Sequence, residues 1–210
     1  MRTMANRAAL DAACAPRMHV ERPRRATKLH RRMRVEAYFS KPAEFLPHDP
    51  AVTEVTRLLR SAIEHAEPQL QVEHVGSTSV PGCGGKGILD LAVLYPEGLL
   101  SRARAVLDEL GFQKQGGPEP FPEERPMRVG SVAYGGRSFR VHAHVIALKS
   151  AERDELVWFR ERLRADPALR QKYEERKRAI LASGIQDPIE YCNAKAAFIA
   201  DELKKRYPAG

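Results

Sequence analysis

Cysteine, long apolar runs and aromatic residues are all scarce in this sequence. The 210 residues include three widely spaced cysteines, Cys14, Cys83 and Cys192, with no C-x-x-C pair, which excludes a disulfide scaffold and a cysteine zinc site and favours a reducing cytoplasm. The longest apolar run, Ile88 to Tyr95, is interrupted by Asp90 and is far shorter than the roughly 20 residues of a membrane span. With 43% hydrophobic and 30% charged residues, the composition is that of a globular domain with no membrane partner.

Acidic residues are scarce only at the start of the chain. Residues 1–40 contain ten lysines and arginines against three acidic residues, whereas residues 41–210 contain 25 basic and 24 acidic residues. The excess of positive charge therefore belongs to a terminal segment, and a nucleic-acid partner is not expected apart from that segment. We expect residues 1–34 to be a disordered basic tail, or the product of a start codon assigned too far upstream, and residues 35–207 to form one domain.

Hydrophobic periodicity predicts an α+β domain: a small mixed β-sheet flanked by helices, with a helical C-terminal third. Capping residues and apolar spacing predict helices at 50–66, 99–110, 151–165 and 167–182, and a last helix that begins after Asp187. Strands are predicted at 70–75, 87–95, 112–115 and 139–148. Residues 116–130 are predicted to be a loop, because four prolines interrupt any regular element there.

A glycine and two hydroxyl residues follow the strand at 70–75, and an acidic residue lies inside the next strand. Gly76 permits a turn with positive φ and close approach of a phosphate, to which Ser77 and Thr78 offer hydroxyl and N–H groups. Asp90 would hold a metal ion such as Mg²⁺ that bridges the same phosphates. The alternatives are a plain turn at Gly76 and, for Asp90, a structural ion pair with Lys86 or Arg140.

Two histidines alternate along the strand at 139–148. His142 and His144 leave the same face as Arg140, while the apolar residues leave the other face. If this strand adjoins the one that carries Asp90, two imidazoles and a carboxylate converge, a ligand set that suits Mn, Fe or Zn better than Mg. The alternative is that the histidines hydrogen-bond Asp90 or solvent, or bind phosphate as cations, since H-x-H is a common strand pattern.

Several motifs in the same order resemble the GrpB family. They are Glu73-His74-Val75-Gly76-Ser77-Thr78-Ser79-Val80-Pro81-Gly82, Lys86, Ile88-Leu89-Asp90-Leu91, His142-Ala143-His144-Val145, Trp158-Phe159-Arg160, Tyr173, Lys177, Tyr191 and Lys195. The resemblance implies a nucleotidyltransferase-like fold of the DNA polymerase β superfamily, in which a glycine-serine turn and a D-x-[DE] strand build the nucleotide and metal site. Some relatives occur fused to dephospho-CoA kinase domains, which points to nucleotide or coenzyme A metabolism.

The residue pattern and the resemblance together give candidate site residues for a nucleotide or another phosphorylated small molecule and for nucleotidyl or phosphoryl transfer. Arg128 is among them because mobility of the proline-rich loop would let it close over a bound anion. The candidate catalytic residues are Asp90, His142 and His144, and Asp90 and His144 are the candidate ligands of Mg²⁺ or Mn²⁺. The candidate substrate-binding residues are Gly76, Ser77, Thr78, Ser79, Lys86, Arg128, Arg140, Lys177 and Lys195. Ala92 departs from the superfamily pattern, which has a second carboxylate there. This departure leaves open a catalytically degenerate binding or folding-assistance module of the same fold.

Overall fold

The structure of the chain is a computed structural model, and it describes residues 34–117, 119–185 and 187–206, with the side chains of residues 188 and 189 excepted. The predicted basic tail lies outside the described residues, apart from Arg34. Both cysteines in the described ranges, Cys83 and Cys192, are free thiols. No helix in those ranges has the length and apolarity that crossing a membrane requires.

Five helices and six strands make up the described part of the chain. The helices are α1 (Ala51–Ala66), α2 (Leu100–Glu109), α3 (Ala151–Ala165), α4 (Pro167–Ala182) and α5 (Pro188–Lys204). The strands are β1 (Val35–Glu36), β2 (Gln71–Val75), β3 (Ile88–Tyr95), β4 (Gln113–Lys114), β5 (Met127–Tyr134) and β6 (Arg137–Ala147). The predicted α+β class, with a helical C-terminal third, is confirmed.

The strands form one mixed sheet with the order β1-β5-β6-β3-β2, and β4 pairs with β5. β3 and β6 run parallel, and the other pairs are antiparallel. β6, which carries His142 and His144, therefore adjoins β3, which carries Asp90. This pairing is the one that the sequence analysis required for the three side chains to converge. A turn of 3₁₀ helix, Ser77–Ser79, follows β2.

Two strands were missed by the sequence analysis. The predicted loop at 116–130 is wrong from Met127 onward, where β5 begins directly after Pro126. Gly130 favours a loop in the sequence, but in β5 it makes room for Val35 of β1: a Cβ on Gly130 would lie 2.4 Å from Val35 Cγ1. β1 has only two residues, too few for a periodic pattern.

The two faces of the sheet pack against different helices. Phe139, Val141, Ala143 and Val145 of β6 point into a core shared with α1 and α2, as the alternation predicted. The opposite face carries Asp90, His142 and His144, and it packs at Val75, Ala92 and Ile146 against Leu156 of α3. The helical third covers this second face only in part, and the uncovered part is the candidate site.

Candidate metal and ligand site

Asp90 and the two histidines form a cluster on adjacent strands. Asp90 of β3 is directly opposite His142 of β6, and His144 is opposite Ala92. Asp90 Oδ1 lies 3.6 Å from His142 Nδ1 and 3.9 Å from His144 Nε2. The solvent-exposed fraction of the side chain is 29% for Asp90, 22% for His142 and 18% for His144, so solvent can reach the cluster.

The spacing of these three side chains suits a metal ion. Two ligands bound at about 2.1 Å from one ion lie at most about 4.2 Å apart. Both distances from Asp90 to the histidines satisfy that limit, and all three ligand atoms lie within 4.8 Å of one another. Shifts of a few tenths of an ångström would therefore bring the three atoms around one ion.

Protonation at neutral pH also suits metal binding. Burial raises the pKa of Asp90, but hydrogen bonding by His144 and the charges of His142 and His144 outweigh it and lower the pKa to about 2. Burial lowers the pKa of His142 to about 4. The cluster therefore contains a carboxylate and at least one neutral imidazole at pH 7, which are the forms that bind metal ions.

Gly76 allows the carboxylate to lie against the turn after β2. Its φ of 70° and ψ of −174° lie in a region that is essentially restricted to glycine. A Cβ on Gly76 would lie 2.4 Å from Asp90 Oδ2. The glycine that the sequence assigned to phosphate approach therefore makes room for the acidic side chain itself.

The cluster opens into a cavity of about 610 Å³ between the sheet and the helical third. The predicted site residues that line it are Gly76, Ser77, Lys86, Asp90, His142, His144, Lys177 and Lys195. Residues that the sequence analysis did not assign to the site also line it, among them Gln115, Phe121, Glu152 and Cys192. The cavity brings together most of the predicted site residues, which are far apart in the sequence.

Two lysines of the cavity lie close to one aromatic ring. Lys86 Nζ lies 4.4 Å and Lys195 Nζ 5.6 Å from the centre of the Tyr191 ring. Neither ammonium forms an ion pair with a carboxylate among the described residues. These two cations are therefore available to an anionic ligand.

Lys177 is buried more deeply than these two lysines. It retains 2% of its exposure, and its ammonium donates to the carbonyl of Gly84 and lies 3.4 Å from Cys83 Sγ. Burial lowers the pKa of Lys177. Its bonds hold the turn before β3 against α4, so it shapes the floor of the cavity.

Four predicted substrate-binding residues do not line the cavity. Thr78 Oγ1 donates to the carbonyl of Ile88, Ser79 Oγ donates to that of Gly76, and Arg140 donates to that of Lys86. These three residues secure the turn and the start of β3. Arg128, which was predicted to close over an anion, lies on β5 and pairs with Asp108 and Glu123.

The Arg128 contacts predict a structural role. We expect Arg128→Met to lower the free energy of unfolding by about 1–3 kcal/mol, because it removes the hydrogen bonds that the guanidinium of a residue only 2% exposed makes to Asp108 and Glu123. Arg57→Met is the matched control, since Arg57 pairs with Glu54 at the surface and should contribute less than about 1 kcal/mol. Denaturant unfolding measures both changes. Equal stability of the two variants would contradict a structural role for Arg128.

Tyr38 contacts the cluster but was not singled out from the sequence. Its hydroxyl lies 3.1 Å from His142 Nε2, and the two rings are 5.5 Å apart at their centres. The two residues are 104 positions apart in the sequence. A lone tyrosine after a two-residue strand carries no sequence signal for such a contact.

Comparisons with known proteins agree with this fold. A family model described as GrpB protein matches residues 42–205. UPF0157 protein PA4798 of Pseudomonas aeruginosa is 34% identical over 171 residues, which cover 79% of this chain and 68% of the relative. UPF0157 protein SCO7215 of Streptomyces coelicolor is 34% identical over 140 residues, which cover 67% of this chain and 70% of the relative.

A solved structure has the same fold. The crystal structure of the conserved protein GrpB from Enterococcus faecalis matches with a TM-score of 0.60 at 23% identity. The match covers 78% of this chain and 99% of that one. With the family model matching most of the described residues, the family predicted from the sequence motifs is confirmed. The chain belongs to the GrpB family.

Proposed function

We propose that this protein binds a divalent transition metal ion on Asp90, His142 and His144, together with a phosphorylated small molecule of nucleotide size, in the cytoplasm. One observation carries the proposal: the three-residue cluster and the two lysines without carboxylate partners line the same cavity. The cavity volume of about 610 Å³ is within the range of small-molecule sites, which is roughly 300–1,000 Å³.

The ligand set determines which metal fits. Two imidazoles and one carboxylate suit Mn²⁺, Fe²⁺ or Zn²⁺, whereas Mg²⁺ prefers oxygen ligands. A metal ion bound there would act as a Lewis acid that polarises phosphate oxygens. Mg²⁺ and Mn²⁺ are the ions predicted for Asp90 and His144 from the sequence, and of these two Mn²⁺ agrees better with the cluster.

The lysines would bind the phosphate groups. Lys86 and Lys195 both line the cavity, where each ammonium would donate charge-assisted hydrogen bonds to phosphate oxygens. Ser77 lines the same cavity and offers a hydroxyl. A nucleotide is the first candidate ligand, because the family resemblance implies a nucleotidyltransferase-like fold.

Ala92 supports binding without group transfer as a second candidate function. This residue is 1% exposed and packs with Val75 and Leu94, so no carboxylate is available at position 92. A second carboxylate normally helps to hold the metal ions of a two-metal transfer site. Turnover of any nucleotide donor would exclude the non-catalytic module, whereas saturable binding without turnover would support it.

Calorimetry tests the proposed ligands. ATP, GTP, CTP and UTP are titrated into untagged protein with Mn²⁺, with Zn²⁺, with Mg²⁺ and without metal. We expect at least one nucleotide to bind, and to bind more tightly with Mn²⁺ or Zn²⁺ than with Mg²⁺. No binding of metal or nucleotide in any combination would contradict the proposal.

The two lysines provide a separate test of the phosphate contacts. We expect Lys86→Gln and Lys195→Gln each to weaken nucleotide binding about tenfold or more, since a hydrogen bond to a charged group contributes about 1.5–3 kcal/mol. Lys172→Gln, at an exposed position of α4 outside the cavity, is the matched control. Equal nucleotide affinity of all three variants would contradict a phosphate site at Tyr191.

A further inference from the structure

The segment after β1 brings Tyr38 to the edge of the cluster. The backbone N–H of Tyr38 donates to Gln113 Oε1 at 3.2 Å, which fixes the chain beside β4. The Tyr38 ring is partly buried and packs against the imidazole of His142. Tyr38 therefore contacts a side chain of the cluster directly, although it lies outside β3 and β6, the strands that carry the cluster.

The two nitrogens of His142 have different partners. Nε2 lies 3.1 Å from the Tyr38 hydroxyl, and Nδ1 lies 3.6 Å from Asp90 Oδ1. Rotation of the imidazole by half a turn would put Cε1 in the place of Nε2 and Cδ2 in the place of Nδ1, and would so break the contact with the hydroxyl. The contact with Tyr38 therefore selects the ring orientation in which Nδ1 faces Asp90.

Arg140 places a positive charge near the Tyr38 hydroxyl. The residue is 6% exposed, and its guanidinium donates to the carbonyl of Lys86 at 2.8 Å. A phenol hydroxyl can accept a hydrogen bond as well as donate one, so its oxygen can accept from an N–H at Nε2 of His142. This contact fits a His142 that carries its proton on Nε2 and has Nδ1 free for a metal ion.

His144 lacks a comparable support. Its Nδ1 is buried and has no hydrogen-bond partner among the residues that the structure describes. Its ring contacts Phe121 edge-on, at 5.7 Å between ring centres, which restricts the ring but selects neither nitrogen. His142 is thus the histidine of the cluster whose nitrogen remote from Asp90 has a hydrogen-bond partner among the described residues.

We propose that Tyr38 is a positioning residue of the metal site, which makes Nδ1 of His142 the coordinating atom and raises the affinity for the metal. The inference rests on the proposed function, because it requires metal binding at the cluster. Outer-shell partners of histidine ligands typically contribute about 10- to 100-fold to metal affinity. Tyr38 would be such a partner, supplied from the segment that precedes α1.

Tyr38→Phe tests this role, because it removes the hydroxyl and keeps the ring. We expect the affinity for Zn²⁺, measured by competition with a chromophoric chelator, to fall about 10- to 100-fold while the unfolding midpoint changes little. Tyr134→Phe is the matched control: it removes a hydroxyl from a tyrosine that packs on the core of the opposite face. That variant should bind Zn²⁺ like the wild type.

Long-range ¹H–¹⁵N spectra of the zinc-loaded, ¹⁵N-labelled protein report which nitrogen is bound. We expect Nδ1 of His142 to be metal-bound and Nε2 to be protonated in the wild type, and this selectivity to weaken in Tyr38→Phe. Wild-type affinity of Tyr38→Phe, or coordination of His142 through Nε2, would overturn the role of Tyr38 and leave the metal site intact. Absence of zinc binding by the wild type would overturn the metal site itself, and the role of Tyr38 with it.

Discussion

Replacing Asp90 with asparagine is expected to lower the affinity for Mn²⁺ and Zn²⁺ by at least about 100-fold. A direct ligand should contribute no less than the outer-shell groups whose loss costs about 10- to 100-fold. Asparagine keeps the shape of the side chain but removes the negative charge that attracts a divalent cation to the cluster. Calorimetric titration of each metal into untagged protein measures the change.

The fold should survive the Asp90→Asn substitution. The neighbours of the carboxylate are His142 and His144. The amide of asparagine has the same shape and can both donate hydrogen bonds to imidazoles and accept them. Asp201→Asn is the matched control, because Asp201 lies at the surface of α5 and, among the residues that the structure describes, pairs only with Lys204. Metal affinity that is the same in both variants would show that Asp90 is not a ligand.

Replacing Gly76 with alanine is expected to reduce both stability and metal affinity. The backbone conformation of Gly76 costs a residue with a Cβ about 1–3 kcal/mol, and the added atom would lie 2.4 Å from Asp90 Oδ2. The carboxylate must move away from the turn to relieve the overlap, and it then leaves the position that faces the histidines. Chemical denaturation and metal titration measure the two effects separately.

Gly82→Ala separates the backbone cost from the displaced carboxylate. Gly82 has a φ of 75°, close to the 70° of Gly76, but a Cβ added there meets nothing within 4 Å. We expect this variant to lose stability and to keep its metal affinity. Metal affinity that falls equally in both variants, or in neither, would refute a specific role of Gly76 in placing Asp90.

The central strands were predictable because their side chains alternate over several residues. β6 shows the alternation from Phe139 onward. The structure confirms that His142 and His144 share one face of the sheet, opposite the face that packs on α1 and α2. An acidic residue within the apolar run of β3 indicated a functional position. Adjacent pairing of the two strands could be stated only as a condition, because sequence periodicity does not give strand order.

Other parts of the site depend on contacts that no local pattern encodes. Arg128 was assigned to an anion because four prolines obscured the start of β5, and the neighbouring acids that pair with it come from α2 and the preceding loop. Tyr38 lies in an irregular segment, and the path of that segment brings it into contact with His142. Secondary-structure propensities do not specify such a path. Lys177 was named only through the family resemblance, and the structure buries its ammonium against the carbonyl of Gly84.

Anomalous diffraction from crystals soaked in MnCl₂ tests the metal site most directly. We expect one strong peak at about 2.0–2.3 Å from Asp90 Oδ1, His142 Nδ1 and His144 Nε2, and no such peak in crystals of Asp90→Asn. Ordered protein at this cluster without an anomalous peak, or a peak that persists in Asp90→Asn, would contradict a metal site built on these three residues.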